Sequence, residues 1–111
     1  MAELPDLANN AFQGVMKQGG KKLLDQVLAR FKDSAPEWAE QLKQAQSLSE
    51  AQRPAQVLKK SCSELGMTAL EDLCFCILEA KALNEAKPFI AQVQMRLPRA
   101  LAAMAKERAL I

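Results

Sequence analysis

The chain has 111 residues, half of them hydrophobic, which is enough for one domain around one core and not for two. Fifteen basic residues against thirteen acidic ones leave a formal charge of +2, spread along the chain. That balance gives no electrostatic reason to expect nucleic acid or an anionic membrane as a partner.

The three cysteines, Cys62, Cys74 and Cys76, lack disulfide-framework spacing, and Met1-Ala-Glu-Leu-Pro has neither the charged nor the apolar region of a signal peptide. A reducing cytoplasm is the expected home. The longest fully apolar run, Leu73–Leu78, is far below the roughly 20 residues that cross a bilayer, so no membrane insertion is expected. On a helix Cys74 and Cys76 stand about 200° apart, and the chain has no histidine to complete a ligand set. No metal and no cofactor are expected, and the cysteines read as small buried hydrophobes.

In chain order, Leu7, Ala11, Phe12, Val15 and Met16 recur at helical spacing, and a short amphipathic helix is expected over about residues 5–17, packed across the rest. Gly19-Gly20 reads as a hinge or turn, without the spaced glycines and following hydroxyl of a P-loop. Residues 1–20 therefore form a leading helix and hinge, and residues 21–111 the main body. Leu24, Val27, Leu28 and Phe31 make the stripe of a core helix from Lys21 to about Lys32. Ser34-Ala-Pro-Glu37 carries both a capping-box pattern and a first-turn proline, so a new helix is expected to start there, with Trp38, Leu42 and Ala45 facing inward.

Ser47-Leu-Ser-Glu50 reads as a linker into the stretch that organises the chain, Ala51–Gly66. Wound at about 100° per residue, Ala51, Ala55, Leu58, Cys62 and Leu65 form one stripe, and Gln52, Arg53, Gln56, Lys59, Lys60 and Ser63 turn away from it as a basic, amide-rich patch. Pro54 implies that regular helix begins near Arg53 or bends just before Gln56, which places Gln56 near a helix start. Gly66 is positioned as a left-handed helix stop, and Thr68-Ala-Leu-Glu71 as the capping box of the next helix, reaching to about Leu83. Its middle, Leu73–Leu78, is apolar nearly all round and must be covered on more than one side, with Phe75 roughly opposite the main stripe. The last helix is expected to begin within residues 85–88 and to turn Ile90, Val93, Leu97, Ala100 or Leu101, and Met104 inward, with a kink at Pro98. No strand-like alternation occurs. The fold class is all-α: an antiparallel up-and-down four-helix bundle with an additional short N-terminal helix.

The stretch Ala55-Gln-Val-Leu-Lys-Lys-Ser-Cys-Ser-Glu-Leu-Gly-Met67 resembles the central helix of histidine-phosphotransfer (HPt) domains, whose pattern is Ala-His-x-Leu-Lys-Gly-Ser-Ala-x-x-x-Gly-Ala. Leu58, Lys59, Ser61 and Gly66 fall in place, whereas Gln56 stands at the phospho-histidine position and Lys60 where a glycine is frequent. Phe31-x-x-Ser-Ala-Pro-Glu37 is similar to a second family feature, the Phe-x-x-Asp-Ala-Pro turn between helices. The resemblance covers about Lys21–Met104. It implies a four-helix bundle whose exposed imidazole takes a phosphoryl group from a receiver aspartate while the nearby lysine supplies positive charge.

A glutamine amide nitrogen, delocalised into its carbonyl, is not a usable nucleophile; Ser61 turns toward the flank of the core stripe, and Ser63 faces outward without a neighbouring base. The resemblance then implies a non-catalytic signalling module of a two-component phosphorelay, not an enzyme. Its partner would be a response-regulator receiver domain or a histidine kinase, docked on Gln52, Arg53, Gln56, Lys59, Lys60 and Ser63 with parts of the Lys21–Lys32 helix. One alternative is a helical adaptor unrelated to phosphorelay, binding through Phe75 and its apolar neighbours. Another is a true phosphotransfer protein in which Gln56 is an engineered replacement of histidine, a reading that leaves Lys60 and Pro54 unexplained.

Overall fold

A computed structural model describes residues 5–111; Met1–Leu4, part of the N-terminus expected to lack a signal peptide, lie outside the described residues. Four helices follow one another: α1 (Gln13–Gln44), α2 (Leu48–Leu65), α3 (Thr68–Glu79) and α4 (Leu83–Ala109), with no strand among the described residues. The connections are two or three residues long, which forces each helix to run back along the one before it. Packing follows the chain, α1 on α2, α2 on α3 and α3 on α4, and α1 closes against α4. The helices thus stand at the corners of a square with α2 and α4 on a diagonal. No helix among the described residues is long and apolar enough to cross a membrane.

The inward stripes are those that the periodicity marks. Leu24, Leu28 and Phe31 of α1, all five stripe residues of α2, and Ile90, Val93, Leu97, Ala100 and Met104 of α4 are buried in one cluster. Ala35, Ala39, Ala51, Ala55 and Ala86 are buried among them, small side chains that let neighbouring helices approach closely. Asp25 on α1 accepts two bonds from the Arg108 guanidinium at 2.6 and 3.1 Å, which ties the last turn of α4 to α1. The Arg108 hydrogen bond holds the Asp25 carboxyl below its usual range.

The separate helix expected over residues 5–17 is not formed. Residues 5–12 run in bends and turns, and helical residues begin at Gln13 as the first part of α1. The break in α1 falls at Gly20 (φ 67°, ψ −160°), a conformation essentially reserved for glycine, within the pair read as a hinge. The leading segment does pack over the bundle: Ala11, Phe12 and Val15 are buried in the common core. It lies as a strap across the α2–α3 corner. The Ala8 amide donates to the Gly66 carbonyl at 2.7 Å, and the Pro5 carbonyl accepts from the Ala69 amide and from the Thr68 hydroxyl, at 3.2 and 2.8 Å. Asp6 meets Arg99 of α4 at 3.4 Å.

Four helix boundaries differ from those expected, and prolines account for two of them. The helix begun at Lys21 does not stop at Lys32 but continues through Pro36 to Gln44, and α2 begins at Leu48, so neither Arg53 nor Gln56 is near its start. Pro36 is exposed, so the Lys32 carbonyl it leaves without a helical partner lies where water reaches it. Pro54 is buried and adds its ring to the core. The N-terminus of α2 is well capped instead by Ser47, whose side chain accepts from the Glu50 amide at 3.2 Å while the Glu50 carboxylate accepts from the Gln46 amide at 2.8 Å. The third boundary is α3: Thr68 is not its cap but its first helical residue, after Met67 at the cap position, with its hydroxyl donating to the Pro5 carbonyl, and the helix ends at Glu79 rather than Leu83. The last helix starts at Leu83, slightly before residues 85–88, and keeps helical residues through Pro88 and Pro98.

Gly66 ends α2 as expected, in the left-handed region (φ 69°, ψ 26°). Its amide turns back to Ser63, and the Met67 amide donates to the Cys62 carbonyl at 2.9 Å, satisfying the last carbonyls of the helix.

Candidate functional site

The outward surface of α2 follows from the same periodicity that buries its stripe. Gln56 is exposed in the middle of α2, one turn from Lys60 and two from Ser63 along the helix. Gln56, Lys59, Lys60 and Ser63, with Glu64 and with Leu78 of α3, line a hollow of about 420 Å³. Four of the six expected docking residues are therefore brought together. Lys59 is half-buried and also lines a neighbouring cleft of about 360 Å³ with Thr68, Glu71, Asp72 and Phe75.

The other two expected residues go elsewhere. Gln52 is half-buried, and its side-chain amide donates to the Leu78 carbonyl at 3.1 Å, one of the carbonyls that the end of α3 leaves open. It is a brace between α2 and α3 rather than a free docking group. Arg53 lies in a different hollow, of about 310 Å³, with Gln41, Gln44, Ala45, Glu50 and Pro54. The Lys21–Lys32 part of α1 does not border the Gln56 hollow either. Val27, Arg30 and Phe31 flank α2 on its other side, around a small space of about 120 Å³ shared with Trp38, Ser61, Glu64 and Leu65. Trp38 is half-buried there against the bundle.

The chemistry available in the Gln56 hollow is that of hydrogen bonding and charge. It offers the Gln56 amide, the Ser63 hydroxyl and two ammonium groups opposite one carboxylate, Glu64. Among the described residues no group of three or more cysteine, aspartate or glutamate side chains is close enough to hold a metal ion.

The cysteines are free thiols: Cys62 and Cys74 are buried, and Cys76 is half-buried. Burial pushes the Cys74 thiol up to about 12, and it raises Cys62 well above the ordinary thiol range and Cys76 to a lesser degree of burial in the same direction. Only the thiolate reacts readily. With a disulfide reagent near neutral pH, the native chain is expected to release at most one equivalent within minutes, from Cys76, and three equivalents in denaturant. Fast reaction of two or three thiols in the native state, or of one that survives Cys76→Ser, contradicts the α2–α3 packing.

Phe75 is 48% exposed at the mouth of the Lys59 cleft, while Leu73, Cys74 and Ile77 around it are buried. The apolar run of α3 is thus covered from inside the bundle at Leu73, Cys74 and Ile77, half-covered at Cys76 and Leu78, and open at this ring. Sequence periodicity does not reveal the walls that α3 lends to the α2 hollows, Leu78 and Phe75, since they depend on how two helices pair. Together these features define an all-α four-helix bundle with a lysine-bearing polar hollow on α2. No family model matches the chain, and no curated protein or solved structure matches it either.

Proposed function

We propose that the chain is a non-catalytic, HPt-like docking module of a two-component phosphorelay, binding a receiver domain or a histidine kinase in the cytoplasm without transferring phosphate and without nucleic acid. One observation carries this reading: Gln56, at the position of the family's phospho-histidine, is exposed in mid-helix and shares one hollow with Lys59, Lys60 and Ser63. Glutamine keeps hydrogen-bonding capacity in the space of an imidazole but offers no nucleophile. The lysines suit a receiver's cluster of acidic side chains. Such a module competes with a true phosphotransfer protein for the same partner.

The test is an amide-resolved NMR titration with receiver domains of the same organism, unphosphorylated and activated by a phosphate mimic. Shifts are expected to centre on Gln56–Ser63, and Lys59→Glu with Lys60→Glu is expected to weaken binding about tenfold or more, the effect of losing one or two well-placed charge pairs. Absence of shifts with every receiver and kinase domain would sink the proposal. The second reading, an adaptor unrelated to phosphorelay, is favoured by the exposed Phe75 ring beside the Lys59 cleft. It is distinguished by a partner whose binding is lost in Phe75→Ala and unchanged in Gln56→Ala.

A further inference from the structure

The outward side of α3 is built from Thr68, Glu71, Asp72, Phe75 and Glu79, which at about 100° per residue fall within an arc of roughly 100°, opposite the buried Leu70, Leu73 and Ile77. The half-exposed Phe75 ring stands in its middle, with Glu71 and Asp72 one turn before it and Glu79 one turn after. A helical side chain leans toward the preceding turn, so the ring lies over the Glu71–Asp72 turn. There it borders the cleft of about 360 Å³ to which α2 contributes Lys59.

The charge of α3 is of one sign: Glu71, Asp72 and Glu79 are its only charged residues. Among the described residues none of these three carboxylates has an ion-pair or side-chain hydrogen-bonding partner, unlike Asp6 and Asp25, which are taken by Arg99 and Arg108. Lys59 is the one cation bordering the cleft, and it forms no ion pair either. A second copy seated on this face would set three carboxylates and one ammonium against the same set, so negative charge is in excess on both sides. Nucleic acid and anionic lipid would bring phosphates to carboxylates. A basic protein segment gains from all three acids, and an aromatic ring within a polar rim suits it as an anchor. The spacing of the acids then selects the shape of that segment. Glu71 and Glu79 are eight residues apart, about 12 Å along the helix, with Phe75 midway. In an extended chain, side chains two and four residues apart point the same way, and four residues span about 13 Å.

We infer that the outward face of α3 is a docking surface for an extended basic segment of another protein, of the pattern Arg-x-Leu-x-Arg. One guanidinium meets Glu71 and Asp72, the leucine enters the cleft beside Phe75, and the second guanidinium meets Glu79. Arginine suits the first position better than lysine, because a planar guanidinium can pair with a carboxylate and lie against the ring at once. The inference goes beyond the receiver-docking reading and does not rest on it: Gln56, Lys60 and Ser63 do not line this cleft, and Lys59 is the one residue common to both surfaces.

The probe is a short serine–glycine peptide with leucine at its centre and arginine two residues to either side, blocked at both ends, titrated into the full chain and followed by amide NMR. Twin peptides carry glutamate in place of both arginines, or alanine in place of the leucine. Shifts over Thr68–Glu79 are expected with the arginine–leucine peptide, weaker binding with the alanine twin and none with the glutamate twin. Binding is expected to weaken about tenfold or more in Phe75→Ala and in Glu71→Gln with Glu79→Gln, to weaken with added salt, and to be unchanged in Gln56→Ala and Lys60→Glu. The double glutamine variant leaves the ring in place, and the thermal unfolding of both variants is measured beside the parent, so a loss of binding in a folded chain is attributable to the face itself. Equal binding of the glutamate twin, no shift on α3 with the arginine–leucine peptide, or affinity unchanged in Phe75→Ala overturns the inference. So does a dimer in sedimentation equilibrium that Phe75→Ala disrupts, which would give the face to a second copy. A receiver domain that shifts only Gln56–Ser63, or no receiver binding at all, bears on the other surface and leaves these outcomes to decide this one.

Discussion

Gly66→Ala is expected to lower the unfolding free energy by about 2–4 kcal/mol, from about 1–2 for a side chain in the left-handed region and a similar amount for overpacking. Two independent features meet at this residue. Its φ of 69° completes the reversal that satisfies the end of α2. A Cβ placed there would also stand 2.9 Å from both Cα and Cβ of Ala11, and 3.3 Å from its carbonyl oxygen, so the strap itself would have to lift. Urea unfolding measures the loss. Gly14→Ala is the matched control: nothing lies within 4 Å of the added carbon, and its helical position should make the change neutral or stabilising by up to about 1 kcal/mol. A midpoint for Gly66→Ala within error of the parent would refute the close approach of strap and corner.

Leu58→Ala is the second large effect, about 2–5 kcal/mol, the range for a buried leucine replaced by alanine. Leu58 is completely buried on the inward stripe of α2, two residues from exposed Gln56. The same truncation at Gln56 is expected to change stability by less than about 0.5 kcal/mol. The contrast separates the two faces of one helix, because Gln56 can be altered to probe a partner while Leu58 cannot be altered without loosening the platform beneath. A comparable loss at both positions would mean that α2 is rotated from the orientation described.

The inward stripes were readable because burial repeats at the helical period: Leu24, Leu28 and Phe31, or Ala51, Ala55, Leu58, Cys62 and Leu65, recur every three or four residues whatever surrounds them. The helix stop at Gly66 was readable for a local reason as well. The boundaries that differed depend on partners distant in sequence. Pro36 and Pro54 are local signals for a helix start, but packing of Ala35, Ala39 and Ala55 on both sides of them holds the helix through each ring. Thr68 has the right spacing to Glu71 for a capping box, yet its hydroxyl goes to Pro5, more than sixty residues earlier. At the candidate site the same division holds. Gln56, Lys59, Lys60 and Ser63 share a helix face and so share a hollow, whereas the role of Gln52 is set by where α3 happens to end, at a carbonyl that no local pattern in α2 announces.

The strap across the α2–α3 corner also bears on the order in which the chain assembles. Most helix contacts here join neighbours in sequence, which close short loops and form early. Ala8 on Gly66 and Pro5 on Ala69 close loops of about sixty residues, with an entropic cost that grows with the logarithm of their length and is offset only once the corner itself exists. The strap is then a latch set after the bundle has formed, and contacts absent from the transition state act on how fast a protein opens rather than on how fast it folds. In this small bundle residues 5–12 govern how long the native state lasts once it has been reached.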